Sequence, residues 1–276
     1  MDKLSLKDQL DSETARKYIL SIRLTPNGFS FSIQNFLADN SFFFENIPFP
    51  TGTPLLSSLE EAILKHDYLL LPFKKINIII ASERFTLIPD ELYNESTKEK
   101  FYEFNLGDRK ERLLTDKLPH SGVVNVYGIH EEVHAFMMRT FSNPVFHHHL
   151  SILTEYFSLR SKMGNSAKMI CQVREGMLDI CCFRKGHLQL LNTFSFKHIN
   201  DASYFILTCW EHLGMDQKTD TLQLTGEVNL TQPLTALLSP YLAEIIPVVF
   251  PAQIFSLGQE TMLASFDLIA LQLCEL

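Results

Sequence analysis

The sequence predicts an α/β protein with mixed sheets, built from one unit used twice. Three observations carry that expectation. Hydrophobic residues make up 46% of the chain and charged residues 20%, so a sizeable core can be buried. Runs with period-2 alternation sit beside runs with helical spacing, so strands and helices are both expected. The order of these elements restarts after Gly164-Asn165-Ser166, and placing Gly28 on Gly176 sets the copies about 148 residues apart. The length of 276 residues, against roughly 150 for a typical domain, agrees with two.

In the first copy, Tyr18 to Leu24 predicts a strand and Pro26-Asn27-Gly28 a turn. Phe29-Ser30-Phe31-Ser32-Ile33-Gln34 then alternates strictly, as a half-buried strand does. A third strand is expected from Phe42 to Ile47. Leu59, Ala62, Ile63, His66 and Leu70 recur at spacings of three and four, which predicts a helix after Ser57 or Ser58. Ile76-Asn77-Ile78-Ile79-Ile80 is apolar enough for a strand buried on both faces. Residues 90–117 hold 14 charged residues in 28, a solvated insertion with Phe101, Tyr102 and Phe104 as anchors. A strand at Val123 to Tyr127 and helices at Glu131 to Phe141 and Leu150 to Lys162 complete this copy.

The second copy runs in the same order. Strands are expected at Lys168 to Val173, Met177 to Phe183 and His187 to Phe194, with turns at Arg174-Glu175-Gly176 and Arg184-Lys185-Gly186. Ala202, Phe205, Ile206, Cys209, Trp210 and Leu213 mark one face of a helix that Gly214 stops. A strand at Thr221 to Thr225, a helix at Pro233 to Tyr241 and a strand at Ile245 to Phe250 follow. Met262, Leu263, Phe266, Ile269, Ala270 and Leu273 predict a terminal amphipathic helix. The expected domains are therefore residues 1–163, with the insertion 90–117, and residues 164–276.

Charge narrows the partners. There are 16 basic against 20 acidic residues before Phe146 and 8 against 12 after it, so each half nets −4. No basic domain is present, which argues against a nucleic-acid binder. The opening decapeptide is polar and lacks an apolar signal core. The most apolar stretch, Ile245 to Phe255, is short and broken by Pro247 and Pro251, so no membrane span is expected. Five cysteines without a CxxC pattern suit free thiols in the cytoplasm, and adjacent Cys181 and Cys182 would point to opposite faces of a strand.

This duplicated order resembles the ribonuclease-H-like domain as doubled in actin, sugar kinases, heat-shock seventy-type chaperones and pilus-assembly ATPases. It is most similar to an uncharacterised bacterial family with this actin-like ATPase fold, over about Arg16 to Leu276. In working ATPases of the fold, nucleotide sits between the copies. Each first hairpin supplies a D-x-G phosphate loop, and a later G-G segment holds the adenosine. The resemblance then implies a degenerate site. Arg23 stands in the first aspartate position and Thr25 replaces the glycine before Gly28. In the second copy Gln172 takes the aspartate position, Arg174 replaces the first glycine and Gly176 matches the later one. The third segment keeps Gly226 and puts Glu227 in the second slot.

Glutamine supplies no anionic Mg²⁺ ligand, and Arg23 would repel that cation. The expectation is a non-catalytic scaffold or interaction protein with no catalytic residue, cofactor or metal and an unidentified protein partner. Its vestigial loop residues are Arg23, Gly28, Gln172, Arg174, Gly176 and Gly226; the glycines can also be simple hairpin and strand-end residues. The alternative is a nucleotide or phosphometabolite binder in which Arg23 and Arg174 serve as phosphate counter-charge.

A third reading comes from His130-Glu131-Glu132-Val133-His134, which matches the H-E-x-x-H pattern of zinc peptidases, with Glu155 as a third ligand. Against it, Glu132 is charged where such helices are apolar, and Thr140 stands where a third histidine would fall. His147-His148-His149 cannot converge on one ion in a regular helix, because neighbours point about 100° apart. A surface turn after Asn143-Pro144 is expected there.

Overall fold

A computed structural model of the chain describes residues 10–35, 37–38, 41–107, 110–162, 164–174, 176–274 and 276. β1 (Ile19–Thr25) and β2 (Gly28–Gln34) form an antiparallel hairpin, which β3 (Phe42–Pro48) extends. The chain crosses through α1 (Leu55–Lys65), whose Leu59, Ala62 and Ile63 are buried, and returns in β4 (Lys75–Ile80) parallel to β1. β4 is buried from Ile76 to Ile80, as its apolar run predicts. β8 (Val145–His148) adds a parallel edge, so the order is β3-β2-β1-β4-β8.

Between β4 and β8 lies a separate antiparallel sheet, ordered β5 (Phe85–Pro89), β7 (Val123–Ile129), β6 (Arg112–Leu118). α2 (Lys98–Leu106) covers it through Tyr102, which packs with Ile88, Leu113, Val124 and Val126. Val123 to Tyr127 is therefore a strand, but not the fifth strand of the repeated sheet; that place belongs to β8. β8 has four residues, two of them histidine, and neither alternation nor an apolar run marks it. α3 (Glu131–Thr140) leads from the inserted sheet to β8.

The second sheet comprises β9 (Lys168–Arg174), β10 (Met177–Arg184), β11 (His187–Ser195), β12 (Thr221–Gly226) and β13 (Glu244–Pro247). Its order is β11-β10-β9-β12-β13, with the same pattern of antiparallel and parallel pairs as the first. α5 (Ile199–His212) joins β11 to β12, and α6 (Val228–Leu238) joins β12 to β13. The hairpins fix the register of the repeat. Thr25 pairs with Gly28 and Arg174 with Met177, so Gly28 corresponds to Met177, and Gly176 falls on Asn27. Arg23 and Gln172 are equivalent, as are Thr25 and Arg174.

Two helices cross between the halves. α4 (His149–Ser161), which follows β8, packs on β10 and β11 of the second sheet. Its residues from His149 to Ser158 are all buried, because it lies between layers and has no solvent face there. After α7 (Ala252–Phe255), α8 (Phe266–Ala270) packs on β1 and α4. The expected amphipathic helix from Met262 is thus a five-residue helix buried on every side, while Met262 and Leu263 are exposed. One apolar cluster runs from Ile22 and Ile78 through Ile152 and Tyr156 to Ile170 and Cys181, with Phe266 and Leu268 inside it. Burying each of these large side chains contributes about 1.5–3 kcal/mol, so the halves share a core. Cys181 faces this cluster, and Cys182 faces the one formed with α5 and α6, on opposite sides of β10 as expected.

Candidate functional site between the two hairpins

The side chains at the loop positions form two buried ion pairs. Arg23 projects from the middle of β1, and its Nε donates to Oδ2 of Asp267 on α8 at 2.6 Å. Asp267 is fully buried, and Leu268 N–H donates to its other oxygen at 3.0 Å. Burial alone would raise its carboxyl; Arg23, His149 and hydrogen bonds hold it below the usual carboxylate range instead.

In the second hairpin Arg174, at the end of β9, forks onto Asp179 of β10. Nη2 lies 2.9 Å from Oδ1 and 2.7 Å from Oδ2, and Nε lies 3.1 Å from Oδ2. Thr193 Oγ1 donates to Asp179 Oδ1 at 2.8 Å. Burial opposes the charge of Asp179, yet Arg174 and His149 hold its carboxyl far below the ordinary value.

His149, the first residue of α4, contacts the second pair and acts on the first only through its electrostatic field. Its Nε2 lies 3.2 Å from both Asp179 Oδ2 and Arg174 Nη2, and its Nδ1 lies 3.3 Å from the Ile80 carbonyl. Burial depresses its pKa, Asp179 pulls it up, and Arg174 and Arg23 push it down, for a net lowering. The lowered pKa leaves His149 neutral near pH 7, and its tautomer decides whether Nε2 donates to Asp179 or accepts from Arg174. With two arginines, two aspartates and a neutral imidazole, these five side chains sum to zero charge.

The glycines at these loops serve close backbone contacts. A Cβ on Gly28 would sit 2.6 Å from the Ile47 carbonyl oxygen, in the β2–β3 pair. Gly226 has φ +118°, and a Cβ there would sit 2.0 Å from the Val173 oxygen. Gly176 is a positive-φ turn glycine. Gln172 is buried, and its Oε1 makes no hydrogen bond. Glu227 precedes α6 and is exposed.

Of the histidine runs, one reaches this cluster through His149 and the other falls elsewhere. His147, His148 and His149 are buried at the β8–α4 junction, not in a surface turn. The junction is covered by the inserted sheet, where the ring of His148 packs against Phe85 and Tyr127 at 5.1 Å, and by the second sheet, where His149 meets Asp179. Its Nε2 lies 3.0 Å from the Ser82 carbonyl, and burial with His149 beside it keeps it uncharged. His130 is the N-cap of α3 and exposed, whereas His134 stacks on Phe146. Glu131 pairs with Arg112, and Glu155 is buried 2.5 Å from His120. Among the described residues no group of three His, Cys, Asp or Glu side chains is arranged to hold a metal ion.

Besides His149, which was expected in a surface turn, sequence reasoning missed Asp179 and Asp267. Each is a lone carboxylate in an apolar run, Met177-Leu-Asp-Ile-Cys-Cys-Phe and Phe266-Asp-Leu-Ile-Ala. A charge that the pattern buries needs a partner, and that was the available signal.

Two five-stranded mixed sheets of identical order, packed together through α4 and α8, form the actin-like ATPase fold. A protein with that fold and unknown function from Bacteroides thetaiotaomicron is similar over 96% of this chain and 99% of its own, with 32% identity and a TM-score of 0.83. The PilM–PilN type IV pilus biogenesis complex contains a chain similar over 94% of this one and 97% of its own, with 11% identity and a TM-score of 0.60, which reports the fold alone. The chain belongs to the family of proteins of unknown function DUF3822, whose model matches residues 7–245. No curated protein matches it. No helix among the described residues is long and apolar enough to cross a membrane.

Proposed function

We propose that the chain is a non-catalytic scaffold or interaction protein that keeps the actin-like frame without ATP hydrolysis. The observation that carries this reading is the pairing of both loop arginines with buried carboxylates, Arg23 with Asp267 and Arg174 with Asp179. A triphosphate entering there would meet a cluster whose arginines are already paired and which offers no net positive charge to hold it. Neither Arg23 nor Gln172 supplies the anionic ligand that Mg²⁺ needs. Arg23, Gly28, Gln172, Arg174, Gly176 and Gly226 are on this reading vestiges of nucleotide loops, retained because the hairpins need them.

Other lines agree. The PilM-type neighbour is named for its complex with PilN, a precedent for this frame serving a protein partner. Free thiols at all five cysteines suit the cytoplasm, and −4 in each half does not suit nucleic acid. We divide the chain at residues 163 and 164, with 90–117, which carries α2 and most of β6, as a charged insertion in the first domain. The zinc-peptidase reading loses support because Glu131 is engaged by Arg112 and His130 lies outside the helix.

The test is a thermal-shift screen of the full chain with ATP, ADP and inorganic phosphate, each with and without Mg²⁺. The proposal expects no saturable shift. A shift with ATP that is independent of Mg²⁺ favours the nucleotide-binding alternative, and ATP turnover lost on mutating Gly226 defeats the proposal.

A further inference from the structure

A second surface lies away from the hairpins. α4 packs on β10 and β11, and toward β12 and β13 the same face of the second sheet opens into a groove of about 450 Å³. Its inner end is rigid: Phe157, Phe266 and Phe250 stack nearly parallel, with centroids 5.3 and 5.0 Å apart and interplanar angles of 14° and 19°. Its outer wall is the segment after β13, where Val249 is 72% exposed.

Charge is one-sided here. The lining carries Arg160 and Lys168 and no carboxylate, in a chain whose net charge is −8. Arg160 is exposed, yet fixed: its guanidinium lies 3.6 Å from the ring centroid of the buried Tyr156, and Nη1 donates to the Tyr156 carbonyl at 3.0 Å. A preset cation beside an apolar slot matches a carboxylate next to an apolar side chain. β13 is the sheet edge, and Val248 N–H is bonded inward to the Leu224 carbonyl at 2.8 Å. Alternation then turns the position of Pro247 outward, where no N–H is available. Pairing by strand addition is blunted, so side chains in the groove would make the contact.

We infer that this groove, between α4 and the β13 edge, docks an extended segment of a partner protein carrying an apolar residue beside an Asp or Glu. This goes beyond the reading of the hairpins. Docking would stand if the cleft took a nucleotide, and its failure would leave the closed cleft untouched.

The experiment uses the full chain and two fluorescent synthetic peptides, one alternating Leu, Pro and Glu, the other with Lys for every Glu. Fluorescence anisotropy is read for the wild type, Arg160→Glu and Val249→Asp. Both changes are at exposed positions, and circular dichroism checks each fold. The expected result is saturable binding of the Glu peptide at least about tenfold tighter than the Lys peptide, worth about 1.4 kcal/mol. Arg160→Glu should reverse the preference and Val249→Asp should weaken both. Absence of saturable binding, equal binding, or an unchanged preference in Arg160→Glu would overturn the inference. So would concentration-dependent sedimentation abolished by Val249→Asp without peptide binding, which would assign the groove to a second copy.

Discussion

Arg23 on β1 and Arg174 on β9 stand on equivalent strands, two positions apart in the register of the repeat, yet their charges are met from different distances along the chain. Arg174 is answered by Asp179, across its own hairpin, with Thr193 and His149 adding contacts. Arg23 is answered by Asp267, 244 residues away, on a helix that the second half sends back over the first. One pair is local and forms with its hairpin; the other exists only when both halves are assembled. The difference also shows in burial, since the side chain of Arg174 is 17% exposed and that of Arg23 is 7%. Loop substitution in this fold therefore has two kinds of consequence, one confined to a hairpin and one holding the halves together.

The largest break in that comparison is Asp267→Asn. It leaves Arg23 charged, buried and without a counter-ion, and urea denaturation should show a loss of about 3–5 kcal/mol. Replacing both partners, as Arg23→Met with Asp267→Leu, should recover most of that loss, because an apolar pair of similar volume avoids the desolvation cost. If the double variant is as unstable as the single one, the pair is not what Asp267 serves. Asp179→Asn should cost less, about 1–3 kcal/mol, because Arg174 has a path to water. Equal losses at the two sites would erase the distinction.

Acid should act on the same cluster. His149 has a folded pKa below its unfolded value of about 6.5, so the unfolded state binds the extra proton first. Its contribution is present above that value and is lost as pH falls toward the folded pKa. The urea midpoint should therefore drop between about pH 7 and about pH 5, before the aspartates titrate. His148, also held neutral by burial, moves it in the same direction. A midpoint that is flat over this window would mean that neither imidazole is neutral when folded. At the small end, Glu131→Ala removes a solvent-exposed pair with Arg112 and should change stability by no more than about 0.5 kcal/mol.

Much of this architecture was legible because periodicity reports one-sided burial. The β1–β2 hairpin, α1, β4 and the whole β9–β10–β11 meander follow from alternation and helical spacing. The signal failed where burial is two-sided or local composition is polar. β8 is four residues ending in histidines, β5 is five residues beside the charged segment, and α8 has no polar face to mark it. Of the buried cluster, only the two arginines were legible. Their partners were not, because an ion pair spanning 244 residues leaves no spacing to read. His149 was misjudged for a related reason: a histidine run resembles a surface turn until the inserted sheet and the second hairpin are packed against it.

The central claim is that the two hairpin arginines are held by buried carboxylates rather than by a nucleotide. It is tested most directly by the unfolding temperature of the full chain with increasing Mg²⁺-ATP. A ligand at about 100 times its Kd would add about 2.7 kcal/mol, a plainly visible rise. The account predicts an unfolding temperature that does not move at any concentration. A saturable rise that disappears in Arg23→Ala and in Arg174→Ala would contradict it, because those arginines would then be holding phosphate rather than Asp267 and Asp179.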